Sequence, residues 1–141
     1  MSSFIDGDPT MRALQFSMDG LSKRVQVATN DIANADTPNY KSSVVSFEDS
    51  LQSALAGTDP NTLPLTLTDG AHMDPQAADL GHAAIVETPL LNRVTKNDNN
   101  NVDIDTEMST LAEANISYDA MAQLASTKLA ILRSSVQDVK P

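Results

Sequence analysis

The chain has 141 residues, and 9 Lys+Arg against 19 Asp+Glu leave a formal net charge of −10. A polyanion of this kind has no long-range attraction for phosphate backbones or anionic lipid, which argues against nucleic-acid binding and direct lipid binding. With no Cys, no Trp, two His, three Phe and two Tyr, disulfides, thiolate chemistry and cysteine-held metals are excluded, and one small, aromatic-poor unit is expected.

Residues 1–9 read as a flexible N-terminus. The first ten hold neither a basic n-region nor an apolar h-region, so no secretory signal peptide is expected, and no apolar run anywhere approaches the roughly 18 residues needed to span a bilayer. Residues 10–35 predict a helix. Apolar side chains recur at Met11, Leu14, Met18, Leu21, Val25, Ala28 and Ile32, alternating steps of three and four in the manner of a coiled-coil seam. Pro9 suits a start near Thr10, which is expected to be the N-cap. Gly20 weakens this helix by roughly 1 kcal/mol relative to alanine. The opposite face carries Arg12, Asp19, Lys23, Arg24, Gln26 and Asp31, and is expected to be wet or to meet another polar surface.

Residues 36–57 predict a turn and a short helix. Pro38-Asn39 is a turn signal, Thr37 before proline should be extended, and Phe47, Leu51, Ala54 and Leu55 give an amphipathic helix closed by Gly57. Residues 58–101 predict a polar, loop-rich insertion with at most a little β structure, since Leu63, Leu65 and Leu67 alternate but are broken by Pro64. Acidity concentrates here: residues 42–91 hold seven acids and no Lys or Arg. Asn97–Asn101 reads as a linker and Val102–Asp105 as a brief extended lead. Residues 102–141 then carry a second helix, with Ile104, Met108, Leu111, Asn115, Tyr118, Ala122, Ala125, Leu129, Leu132, Val136 and Val139 again alternating four and three. Asp103 or Asp105 should cap it, and Glu107 favours its positive end. Met121, Leu124 and Ile131 form a second apolar line beside the first.

Lengths constrain how these pieces combine. A compact domain of this size is about 37 Å across, whereas a helix over 104–139 is about 54 Å long. Either the chain is an elongated helical hairpin with apolar surface left over, or the last helix breaks. The expected fold is therefore mainly α: an elongated, coiled-coil-like antiparallel pairing of N- and C-terminal helices around a loop-rich insertion.

No catalytic, cofactor or metal site is assigned. His72-x-Asp74 and Asp79-x-x-His82 bring ligand types close in sequence, but no further ligands converge on them. Asp98 to Glu107 matches a calcium loop only in composition, because Val102 occupies a ligand position, the turn glycine is missing and the terminal Glu is out of register. Neither histidine has a serine placed as nucleophile to its base, and no glycine-rich phosphate loop is present.

The stretch Arg24-Val-Gln-Val-Ala-Thr-Asn-Asp-Ile-Ala-Asn-Ala-Asp-Thr-Pro-Asn-Tyr-Lys41 resembles the N-terminal signature of the bacterial flagellar rod and hook axial family. The continuation Phe47-Glu48-x-x-Leu51 and the run Asn100-Asn101-Val102-Asp103-Ile104-Asp105-x-Glu107-Met108, followed by Tyr118, Leu124, Lys128, Leu132 and Arg133, resemble its B-type proximal rod members. The likeness covers roughly residues 14–55 and 92–137. It departs where Asn39 replaces the usual glycine and Asp31 the usual asparagine.

The resemblance implies a structural subunit of the flagellar basal-body proximal rod in the periplasm, exported by the flagellar type III apparatus without a cleaved signal. Its partners would be other rod subunits and the inner-membrane ring/rod adaptor, and it would transmit torque. Met11, Leu14, Met18, Leu21, Val25, Ala28, Ile32, Met108, Leu111, Tyr118, Leu124, Leu129 and Leu132 would form the assembly seam, and Asn34, Thr37, Pro38 and Tyr40 the signature turn. The competing expectation from the residues themselves is a self-contained helical adaptor or chaperone-like binding module.

Overall fold

A computed structural model describes residues 8–56, 83–91 and 96–137. In chain order they form helix α1 (Pro9–Ala33), strand β1 (Ser43–Ser46), helix α2 (Glu48–Ala56), strand β2 (Val86–Pro89) and helix α3 (Ile104–Gln137). Residues 1–7, Gly57, the Leu63–Leu67 alternation, His72, Asp74, Asp79, His82, Val139 and Pro141 lie outside the described residues.

The fold is mainly helical, with α1 packed along α3. The pairing is antiparallel. Asp8, just before α1, forms an ion pair with Lys128 far along α3 at 3.0 Å, while Asn34, just after α1, accepts a hydrogen bond from Asn100, just before α3. The 34 residues of α3 run unbroken for about 51 Å. Of the two arrangements open from the lengths, the molecule adopts the hairpin.

Both long helices start on an aspartate. The Asp8 carboxylate accepts the Thr10 N–H at 2.9 Å, with Pro9 at the first helical position, where a missing N–H costs nothing. The cap is thus Asp8 and not Thr10: Thr10 is already inside the helix and gives its own N–H to the Asp8 carboxylate. Asp103 caps α3, accepting from the Asp105 N–H at 3.1 Å and the Thr106 hydroxyl at 3.0 Å. Ile104 and Asp105 are therefore already helical, and the extended lead stops at the cap.

β1 and β2 pair antiparallel, Val45 opposite Glu87. Val45 turns inward and is buried, while Val44 is exposed. Two short strands are marginal alone; these are held against α1. The buried apolar cluster is Leu21, Val27, Val45 and Phe47, flanked by Phe16, Ile85, Tyr118 and Met121. Phe47 touches Phe16, Gly20 and Arg24 of α1. Its ring lies over Gly20, meets Phe16 edge-on at 6.3 Å between centroids and carries the Arg24 guanidinium 5.0 Å above its face. Phe16, Gly20 and Arg24 stand four residues apart, so one face of α1 forms a cradle whose floor is glycine.

That second cover rotates the buried face of α1 away from the expected seam. Ser17, Gly20, Leu21, Val27, Ala28 and Asp31 are buried, whereas Met11, Leu14, Met18, Val25 and Ile32 are only half-buried. The polar face is wet at Arg12, Asp19 and Gln26, which are exposed, but covered further along, where Phe47 lies under Arg24 and Asp31 is only 1% exposed. On α3, Glu107 and Ala114 are buried and Met121 packs on the core. Met121 therefore separates from Leu124 and Ile131, which are exposed.

Candidate functional site

Two features of the described residues are candidates for function: the turn leaving α1, and an open groove along the helix pair. The turn is built residue by residue from its own side chains. The Asn34 amide donates to the Asn30 carbonyl at 2.8 Å, closing the end of α1, and its Oδ1 accepts the Thr37 hydroxyl at 3.2 Å. The Thr37 N–H donates to the Asn34 carbonyl at 3.0 Å and the Tyr40 N–H to the Thr37 carbonyl at 3.3 Å. Pro38 is exposed between them. Asn39 has φ 63°, a left-handed conformation that asparagine tolerates better than most residues. Tyr40 folds back so that its hydroxyl donates to Asp31 Oδ1 at 2.8 Å, while Asp31 Oδ2 accepts the Ser43 N–H at 2.9 Å. One buried carboxylate thus joins the last turn of α1 to both the turn and β1.

The groove lies between α1 and α3 and has a volume of about 310 Å³. Met11, Leu14 and Met18 line one wall and Tyr118 and Ala125 the other, with Arg12, Gln15, Asp19 and Ser22 completing it. These apolar residues belong to the expected seam. Phe47 packs on another side of α1, over Gly20, and leaves this side open. Of the remaining α3 seam residues, Leu111 and Leu132 are half-buried, while Met108 is 57% and Leu129 43% exposed, as are Leu124 and Ile131 beside them. Leu21 and Ala28 are the two seam residues committed to the interior.

No protein-family model matches the chain. It is 34% identical to the flagellar basal body rod protein FlgB of Borreliella burgdorferi over 118 residues, covering 80% of this chain and 87% of that one. The FlgB of Bacillus subtilis is 30% identical over 125 residues, covering 89% and 91%, and that of Escherichia coli 33% identical over 116 residues, covering 75% and 79%.

The chain belongs to the FlgB family of flagellar basal body rod proteins.

In this FlgB chain the electrostatics of the turn follow from burial. Burial, then the hydrogen bond to Asp31, pushes the Tyr40 phenol up to about 12. Near α2, burial pushes the Glu48 carboxyl up, but the Phe47 N–H and the Arg24 guanidinium pull harder, and it rests below its ordinary value. The Lys128 ammonium, then the Thr10 N–H, lowers Asp8. Among the described residues no three His, Cys, Asp or Glu side chains are placed to hold a metal ion, and no helix is long and apolar enough to cross a membrane.

Sequence reasoning on this FlgB chain missed Asn100 and Asn101, taken for linker. Both are buried. Asn100 donates to the Asn34 and Thr37 carbonyls, each at 2.9 Å. Five polar residues in a row carry no periodicity from which burial follows; the signals were their place in the run that resembles proximal rod members and the asparagine side chain, which brings donor and acceptor together as closing a turn requires.

Proposed function

We propose that this chain is a structural subunit of the proximal flagellar rod, built into the axle through its terminal helices and passing torque along them. The observation that carries the reading is the groove: apolar residues from both ends of the chain line one open side of the helix pair, and further apolar side chains of α3 stand exposed. Apolar surface of this kind marks a contact waiting for a partner. Neighbouring near-parallel helices would fill it, and a bundle of them resists twisting better than any single hairpin. The partners are other rod subunits and the inner-membrane ring/rod adaptor, reached in the periplasm through the flagellar type III apparatus. Its work is mechanical and not catalytic.

Leu129→Asp tests this, because Leu129 is already partly in water and the substitution leaves the interior intact. The purified variant should keep the circular dichroism of the parent, while in cells lacking the native gene it should fail to enter isolated basal bodies and to restore swimming. Normal incorporation and swimming would reject the reading. A self-contained adaptor would instead leave the basal bodies free of the parent chain as well.

A further inference from the structure

The four largest fully buried side chains among the described residues are Val102, Asn100, Asp31 and Ser42. Three are polar, and all gather where the end of α1 meets the approach to α3. The two Nδ2 hydrogens of Asn100 face three carbonyls, those of Asn34 (2.9 Å), Ala35 (3.1 Å) and Thr37 (2.9 Å), while its Oδ1 accepts the Val102 N–H at 2.7 Å. Lys96 shares the Ala35 carbonyl at 3.1 Å. The Asn101 Oδ1 accepts the Ser42 N–H at 2.7 Å, and its amide donates to the Leu90 carbonyl at 2.5 Å. Around them, Asn39 donates its N–H to the Asp98 carbonyl at 3.0 Å and Lys41 donates to the Asn99 carbonyl at 2.6 Å.

A buried polar junction is a poor way to gain stability, since each group exchanges one set of hydrogen bonds for another and well-packed apolar residues serve as well. What such a junction supplies is a single position. A further polar tie, the partly exposed Asp8–Lys128 ion pair, lies at the far end of the helix pair, and exposed ion pairs of this kind contribute little. The inward residues of α3, among them Leu111, Ala114, Tyr118, Met121, Ala125 and Leu132, recur in steps of three and four that add to seven, so a slide by one repeat, about 10 Å, again turns this face to α1. The contact also discriminates weakly: beside the larger half-buried side chains Leu111, Tyr118, Met121 and Leu132, the inward residues of α3 include Ala114, Ala122 and Ala125, and those of α1 include Ser17, Gly20 and Ala28. Small side chains make shallow knobs, and shallow knobs fit many holes.

We propose that Asn100 and Asn101 are the register lock of the FlgB helix pair, pinning the start of α3 to the turn that ends α1. The lock decides which α3 side chains stay outside, and it holds whether or not the rod reading is correct. The test uses the full chain, whose lack of cysteine allows clean nitroxide labelling of Cys introduced at Gln26 and Gln123, both exposed and offset along the pair. Electron spin resonance on the otherwise unaltered chain should give one distance. Asn100→Ala, and separately Asn101→Ala, should add a second population whose axial offset differs by about 10 Å, one seven-residue repeat. Val27→Ala and Asp8→Ala, which weaken the core and the far end, should keep the single distance. An unchanged distance in either folded Asn variant overturns the lock. So does unfolding of both Asn variants while Val27→Ala stays folded, because a register device loses uniqueness before stability.

Discussion

Gly20 lowers the helix propensity of α1 by roughly 1 kcal/mol relative to alanine, and Phe47 is what makes glycine necessary there. A Cβ on Gly20 would sit 2.6 Å from the Phe47 ring, closer than any real contact. Gly20→Ala should therefore lower the urea midpoint in spite of the better helix former, since overpacking costs about 1–3 kcal/mol. In the same chain Phe47→Leu should recover part of that loss; additive effects of the two changes would break this account. Tyr40 makes a second residue-scale prediction. Its folded phenol titrates at about 12, above the ordinary 10, so the fold favours the protonated form. That contribution is complete below pH 10 and is lost as pH rises through about 12. Stability measured over this interval should fall, and Tyr40→Phe should flatten the fall. Ser42 is the exception to this economy: its hydroxyl is buried and has no hydrogen-bond partner among the described residues, and nothing in the structure explains it.

At the level of elements, much was legible. Alternating three- and four-residue steps pointed to helices over 10–35 and 102–141, where the structure has Pro9–Ala33 and Ile104–Gln137, because long amphipathic repeats accumulate signal. Which side of each helix faces inward was not legible. Apolar residues lie on more than one side of both, and only the arrival of Phe47, from far along the chain, selects Gly20 and Val27 over Met11 and Met18 as interior. β1 escaped notice because four residues, Ser-Val-Val-Ser, are too few to establish a period of two. The signature turn was recognisable by type, whereas its tie to Asn100 joins residues 63–66 apart and leaves no local trace. Past Lys128, α3 continues from Leu129 to Gln137, beyond the residue that pairs with the start of α1. Amide exchange in the isolated chain should be faster there than over Leu111–Ala125; equal protection along the whole helix would contradict the described packing.

For the molecule as a whole, size and shape pull in opposite directions. Among the described residues, four buried apolar side chains form the cluster that joins helix, strand and turn, which is little for helices of 25 and 34 residues. An elongated shape raises surface relative to volume and leaves stability to be completed elsewhere. The uneven charge is partly offset in the fold: Glu48 and Glu87, two acids of residues 42–91, pair with Arg24 and Lys23 of α1. The groove wall bearing Met11 and Met18 has one more consequence. Thioether side chains are supple and polarizable, so such a trough can mould itself to guests of unequal contour, and an oxidant that turned both sulfurs into sulfoxides would spoil it for all of them.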